Sequence, residues 1–421
     1  MHFGLIVAVF VLTLTLVLTR PRGLNEAWAT VLGGALMLLL RLETPRQAWE
    51  TITRGSDVLL FLLGLLILSS LLRASGFFAW AAIHAARAAH GNGRVLYRNV
   101  FLLGGVTTAL LSLDTTAVIL TPIVLSFVGR LKLTPRPFLL ACAFVANTGS
   151  LLLPVSNLTN LLFVSAFHWR FGAFALTMAL PQIAALCVNY ALLRYFFSSE
   201  LPGTFKASDL PEPASVLPDG PYFHGAVAVL GIVLVGYFVG SLVHVPPYTI
   251  ALTGCGILLA WGLWRRQITW ESVREISWPI FPFILGLFVV VRGVENIGLA
   301  ADAARGLTLV GHSSWALVPA TALGAALGAN IINNIPMALL AISALHHGAS
   351  PAAQYGALLG CDLGPNLAVS GSLATMLVIT SARRQGQDIS TRDFFLLGLR
   401  VTPLVLLVSG LSLWVMLNLF R

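Results

Sequence analysis

The chain has 421 residues, of which 57% are hydrophobic and only 10% charged, with a mean hydropathy of +0.88. A soluble domain carries roughly 25% charged residues, so this composition excludes an ordinary solvated surface, and with it a secreted enzyme, a disulfide scaffold or a single-span receptor. The net charge of +9 is spread through short loops between apolar runs, which points to the positive-inside effect of a membrane protein and away from nucleic acid.

Runs able to cross a bilayer as helices, about 17 to 25 residues each, are expected at 3–19, 24–41, 57–73, 137–168, 171–197, 222–244, 247–264, 278–292, 352–381 and 393–420. The first run, Phe3 to Thr19, has no basic leading region and no small-residue cleavage site, so it reads as a retained helix. Two further stretches, 95–129 and 312–346, are broken by Ser112-Leu113-Asp114-Thr115-Thr116 and by Asn330 with Asn333-Asn334. Their halves, about 12 to 17 residues long, are too short to span alone and read as re-entrant hairpins with tips buried in protein or facing water. The fold class is thus all-α and polytopic, with about ten transmembrane helices, two re-entrant hairpins and two unwound spans.

The order of features recurs. Phe61-Leu62-Leu63-Gly64-Leu65 matches Phe283-Ile284-Leu285-Gly286-Leu287, and Gly76 matches Gly298 at the same offset. Pro122 corresponds to Pro336, and Gly149 to Gly364, at offsets that differ by one residue. This divides the chain into a first repeat at 1–197, a cytoplasmic linker at 198–221 and a second repeat at 222–421. Arg73, Arg87, Arg94 and Arg98, without an acid among them, mark the connector before the first hairpin as cytoplasmic. An odd number of spans then separates the hairpins, which makes the second repeat inverted and leaves both termini outside.

An aspartate at a membrane midplane costs about 2.5 to 3.5 kcal/mol on insertion scales, so Asp114 and Asp362, inside broken apolar segments, are candidate proton carriers. Asp114 opens the second arm of the first hairpin beside Thr115 and Thr116, where a side-chain oxygen also serves as a helix cap. In the span 137–168 the run Asn147-Thr148-Gly149-Ser150 precedes Pro154-Val155-Ser156-Asn157-Leu158-Thr159-Asn160. Proline removes a backbone donor and glycine relaxes φ, so the helix unwinds there. Cys361-Asp362-Leu363-Gly364-Pro365-Asn366, with Ser370-Gly371-Ser372-Leu373-Ala374-Thr375, is its counterpart, and Asn147 stands where the second half has Asp362. Candidate solute-binding residues are Thr115, Thr116, Asn147, Thr148, Ser156, Asn157, Asn160, Asn330, Asn333, Asn334, Asn366, Ser372 and Thr375. The two aspartates and this set are expected to meet in one pocket.

Other features carry less. Arg400 lies within the last span, where snorkelling or packing accounts for it as well as function does. His84 and His90 sit on the basic connector, and His346-His347 close the second hairpin. Cys142, Cys187, Cys255 and Cys361 lack metal-ligand spacing and read as packing residues. No metal site, cofactor or catalytic residue is expected. Neither a phosphate-binding Gly-rich loop nor a hydrolase motif occurs, so the chain reads as a transporter driven by an ion gradient or a separate subunit.

At these residues the sequence resembles the bacterial arsenite efflux permeases, the ArsB family of the ion transporter superfamily, over nearly the whole chain. The most specific pieces are Leu120-Thr121-Pro122-Ile123-Val124, Val155-Ser156-Asn157-Leu158, Asn333-Asn334-Ile335-Pro336-Met337, and Gly360-Cys361-Asp362-Leu363-Gly364-Pro365 with Gly371-Ser372-Leu373-Ala374-Thr375. The resemblance implies two inverted repeats in the inner membrane and export of arsenite and antimonite, as neutral trihydroxides, in exchange for protons. It also implies, in some members, a soluble arsenite-stimulated ATPase partner; assembly as a homodimer stays open. The chain departs from the family pattern at Leu113, where Asn is common, and at Asn147, where Asp is common. A pyramidal trihydroxide needs donors and acceptors without a countercharge, and neither hairpin tip nor unwound span contains Lys or Arg. The alternative is a sodium-coupled carrier of small anions or silicate, using freed carbonyls as sodium ligands.

Overall fold

The computed structural model describes residues 2–201, 203–269, 274, 276–298, 313–346 and 348–419, and among these every extended regular element is a helix. His347, one of the two histidines closing the second hairpin, and residue 312 at its start lie outside the described residues. In chain order the first half comprises α1 (His2–Thr19), α2 (Glu26–Leu39), α3 (Pro45–Arg54), α4 (Ser56–Ala74), α5 (Phe77–Arg87), α6 (Gly93–Leu110), α7 (Leu113–Arg130), α8 (Pro135–Thr148), α9 (Leu158–Ala166) and α10 (Phe171–Phe196). The second half comprises α11 (Gly220–Leu242), α12 (Pro247–Trp264), α13 (Ile280–Asn296), α14 (Ser314–Ile332), α15 (Asn334–Leu345), α16 (Pro351–Leu363), α17 (Leu373–Arg384) and α18 (Thr391–Leu419).

Eight helices among the described residues are long and apolar enough to cross a membrane: α1, α4, α7, α10, α11, α12, α14 and α18. The expected run at 24–41 forms a helix of only 14 residues, α2, because Asn25 caps its start and Arg41 takes a positive φ of 53° just beyond its end. The runs at 137–168 and 352–381 are each two helices with a break between them.

The arms of the broken stretches depart from expectation. Helix α6 has 18 residues, α7 has 18 and α14 has 19, while only α15, with 12, falls in the anticipated range. Asn92 accepts hydrogen bonds from the amides of Arg94 and Val95, so α6 begins in its polar margin, ahead of the apolar stretch. The breaks nonetheless fall among the polar residues: α6 gives way to α7 across Leu111 and Ser112, and α14 to α15 across Asn333.

Close helix contacts are made at glycines. A Cβ on Gly360 of α16, or on Gly364 just past its end, would meet the backbone of Ala322 or Ala326 on α14, the close approach that small residues permit between membrane helices. Helix α13 lies along α2, α12 along α4 and α18 along α10. Trp169 stacks flat on Tyr355 with ring centroids 3.9 Å apart, tying the first half to the second.

The linker is folded onto the basic connector. Phe205 N donates to Gly91 O at 2.8 Å, Gly93 N to Gly203 O at 3.3 Å, and Arg87 Nη1 to Pro211 O at 3.2 Å. Asp219 caps α11 by accepting from Tyr222 N at 2.9 Å and pairs with Arg265 at 2.6 Å. Arg400 is exposed on α18, its guanidinium 5.7 Å from the centroid of the Phe196 ring. Cys142, Cys255 and Cys361 are buried, whereas Cys187 is exposed on α10 rather than packed in the interior.

Candidate functional site

The two interrupted spans cross at their breaks, and polar side chains fill the crossing. Asn147 and Asp362 are each the last residue but one of their helix, α8 and α16, and each reaches the start of the other half's second short helix. Asn147 Nδ2 donates to Thr375 Oγ1 at 2.9 Å and to Asn366 Oδ1 at 3.0 Å. Asp362 Oδ1 accepts from Asn157 Nδ2 at 3.0 Å and from the Thr159 hydroxyl. Asn157 caps α9 and Ser372 caps α17, each in extended backbone, and Ser372 Oγ accepts from Thr375 N at 3.1 Å.

The network continues outward. Asn366 Nδ2 donates to Thr148 Oγ1 at 2.8 Å and to Phe144 O at 3.2 Å. Carbonyls freed by unwinding are taken up by amides: Asn160 Nδ2 donates to Ser150 O at 2.7 Å and Leu153 O at 3.0 Å, and Asn330 Nδ2 to Gly364 O at 2.7 Å. Asn333 Nδ2 donates to Ser370 O at 3.0 Å. Asn333 holds a φ of 77° with ψ 154°, a backbone conformation that favours glycine and is kept here by the surrounding structure, and its side chain ties the second break to the second unwound span. Ser156 Oγ donates to Ala109 O at 2.6 Å, tying the first unwound span to the end of α6.

Donors run out before acceptors do. Asn147 Oδ1, Asn160 Oδ1, Asn330 Oδ1, Asn334 Oδ1 and Asp362 Oδ2 are buried without a hydrogen-bond partner among the described residues. Buried polar atoms are normally paired, so these five acceptors, at the two unwound spans and the second broken pair, suit a solute rich in O–H or N–H donors. Asn147, Thr148 and Asp362 are fully buried. Among the described residues, their hydrogen-bond partners include no Lys or Arg side chain.

Asp114 lies elsewhere than expected. No hydrogen bond among the described residues joins it to the Asp362 network; it lines a separate crevice of about 40 Å³ with Ser69, Ser70 and Arg73 of α4, Thr115 and Ser277. Such a volume holds about three waters, at roughly 10 to 15 Å³ each. The tip is shaped by hydroxyls: Ser69 Oγ and Ser112 Oγ each lie 2.9 Å from Thr115 Oγ1, and Thr108 Oγ1 lies 2.8 Å from Thr116 Oγ1. Residues 116–120 form a wide π-type turn, which Pro122 favours by removing a backbone donor. The two aspartates thus occupy separate surroundings. Helix α7, which carries Asp114, packs directly against α8, and α17 packs against both.

Sequence reasoning missed the bracing residues. Gln182 Oε1 accepts from the amides of Leu151 and Leu152 at 2.8 and 3.0 Å, and its Nε2 donates to Thr148 O at 2.9 Å. Asn189 donates to Thr148 Oγ1. Gln182 and Asn189 are seven residues apart on α10, two turns on one face; that spacing in a greasy helix was the available signal. Arg73, read as part of the connector, brings a cation to the Asp114 crevice. Among the described residues no three His, Cys, Asp or Glu side chains gather as a metal set.

Membrane-length helices broken in pairs, with polar side chains sealed at the breaks, make a polytopic transporter. The fold agrees: the chain superposes on the Alcanivorax borkumensis YdaH transporter with a TM-score of 0.59, covering 99% of each chain at 16% identity. With Neisseria gonorrhoeae MtrF the TM-score is 0.51, over 87% of this chain and 84% of that one at 13% identity. The family model for ArsB, arsenical pump membrane protein, matches residues 5–417. An arsenical pump membrane protein of Escherichia coli is 33% identical over 96% of each chain, and one of Yersinia enterocolitica is 34% identical over the same shares. The chain belongs to the arsenical pump membrane protein family and is a multi-pass bacterial membrane protein.

Proposed function

We propose that the protein exports trivalent metalloid hydroxides, arsenite and antimonite, across the inner membrane in exchange for protons, by alternating access. The carrying observation is the set of buried acceptor oxygens, Asp362 Oδ2 among them, that have no partner among the described residues at the two unwound spans and the second broken pair. A neutral trihydroxide brings three O–H donors and no charge, so it satisfies such a site without a countercharge; a carboxylate brings only acceptors and leaves the oxygens unmet. Asp362, held at one oxygen by Asn157 and Thr159, carries the exchanged proton at the other. Asp114, in a crevice beside Arg73 at the connector end of α4, is the proton group on the cytoplasmic side.

The reciprocal reach of Asn147 and Asp362 supports the division into inverted repeats at 1–197 and 222–421. On this reading the pairs α6–α7 and α14–α15 are the re-entrant hairpins, with tips held in protein by Ser69 and by Ser370. The chain acts as a carrier and not as an enzyme. A soluble ATPase and a second copy of the chain are the partners to look for.

Everted vesicles acidified inside are expected to accumulate arsenite, and to lose that accumulation when an ionophore collapses the pH gradient. The sodium-coupled reading uses the same oxygens as ion ligands, but the carbonyls it would recruit are already bonded to Asn160, Asn330 and Asn333. Accumulation that follows a sodium gradient at constant pH would favour it.

A further inference from the structure

Glu43 sits in the turn between α2 and α3; α3 leads into the start of α4, whereas the basic connector follows the opposite end of that helix. The turn closes a satellite hydrophobic cluster of Ile6, Val9, Met37, Leu42, Val290 and Val294, apart from the main core. Glu43 is only 2% exposed, and neither Oε1 nor Oε2 has a hydrogen-bond partner among the described residues. A buried carboxylate without donors is unstable as the ion, so the seat favours the neutral acid.

The charged neighbours do not offset this. On α13, Arg292 pairs with Glu295 at 2.8 Å. On α3, Arg46 pairs with Glu50 at 3.0 Å in solvent, and Arg54 is exposed. Arg41 in the turn, His2 on α1 and Asp57 at the start of α4 are exposed. Glu26 lies at the far end of α2 and pairs with Arg20 at 3.2 Å. Burial pushes the Glu43 carboxyl up from the ordinary 4.5 to about 7; Arg292 opposes the rise and Glu295 adds to it.

We infer that Glu43 is a proton-binding site at the end of the molecule opposite the basic connector, protonated in this conformation, and that losing the proton to water unseats the α2–α3 turn. The O–H bond of the acid breaks, water takes the proton, and the ion leaves the apolar seat for solvent. The amides of Leu42 and Glu43, which both donate to Met37 O at 2.9 and 3.2 Å, are released with it. Helix α13, which lines the seat, also packs on α15, so the state of the turn reaches the second broken pair. The inference is independent of what the protein transports.

Hydrogen exchange on the full chain in lipid nanodiscs tests it without any substrate. A carboxyl whose seated pKa lies above its free value stabilises the seat fully below about 4.5 and loses that contribution as pH rises through about 7. After correction for intrinsic exchange, protection at Leu42 and Glu43 should fall at least about tenfold between pH 5 and pH 7 and then level off. Glu43→Gln and Glu43→Met, which fill the seat without an ionisable group, should each hold their pH 5 protection throughout. Wild-type protection independent of pH would overturn the inference, as would the same fall in whichever variant folds.

Discussion

Asp362 Oδ1 accepts a hydrogen bond from Asn157 Nδ2 at 3.0 Å, joining residues 205 positions apart in the chain. The bond crosses from the N-terminal cap of α9 to the end of α16, so any change that separates the two short helices breaks it. Removing one such bond in a membrane protein costs about 0.6 to 1.7 kcal/mol. Asn157→Ala is therefore expected to raise the apparent arsenite constant by about 3- to 20-fold while the protein still folds. Transport kinetics in vesicles check this, and an unchanged constant places Asn157 outside the solute path.

Helix α16 approaches α14 through glycine. A methyl on Gly360 would meet the carbonyl of Ala322, and backbone cannot yield as a flexible side chain does, so Gly360→Ala should destabilise the protein by about 1–3 kcal/mol. Gly324 on α14 has no neighbour within 4 Å of such a methyl, and Gly324→Ala should be neutral or slightly stabilising. Thermal midpoints in detergent compare the two; equal midpoints would remove the seam from the account.

The breaks were legible because each interrupts an oily run with residues of a different chemistry: Ser112, Asn333, and the Gly, Pro and Asn clusters at 147–160 and 361–375. The placement of Asp114 was not legible. Which side of a helix tip an aspartate takes depends on its neighbour across the gap, here α4 with Ser69 and Ser70, and no spacing within the hairpin encodes that. Arm length was misread because Asn92 starts α6 ahead of Arg94 and Arg98, charged residues that end an apolar window without ending a helix. Gln182 was passed over because one amide in a long greasy helix reads equally as packing; its role as brace for Leu151 and Leu152 exists only once α10 lies beside the break.

Asn147 donates two hydrogen bonds through one amide nitrogen, which an ionised carboxylate at that position could not do. Asn147→Asp would set carboxylate oxygen against Asn366 Oδ1 unless it takes up a proton, so the variant should gain a second buried proton carrier. Measured with a pH-reporting dye and arsenite uptake together, the proton-to-arsenite ratio should rise. An unchanged ratio in an active variant would show that this position does not carry protons.

At the linker the expected pH dependence runs the other way from that at Glu43. The Tyr222 amide and the Arg265 guanidinium hold the Asp219 carboxyl below its ordinary range. Its contribution to stability is present above that range and is lost as pH falls through the depressed value. Asp219→Asn should lower the thermal midpoint at neutral pH, and the gap from wild type should close on strong acidification. A gap that persists in strong acid would assign the effect to something other than this ion pair.

The central claim is that Asp362 carries the exchanged proton. Arsenite accumulation in everted vesicles, driven by an imposed inside-acid gradient, tests it when wild type is compared with Asp362→Asn, which keeps the size of the side chain and its place in the network. The account predicts gradient-driven accumulation in wild type and none in the variant, with the variant present in the membrane at wild-type level. Accumulation by Asp362→Asn that still follows the pH gradient would contradict it.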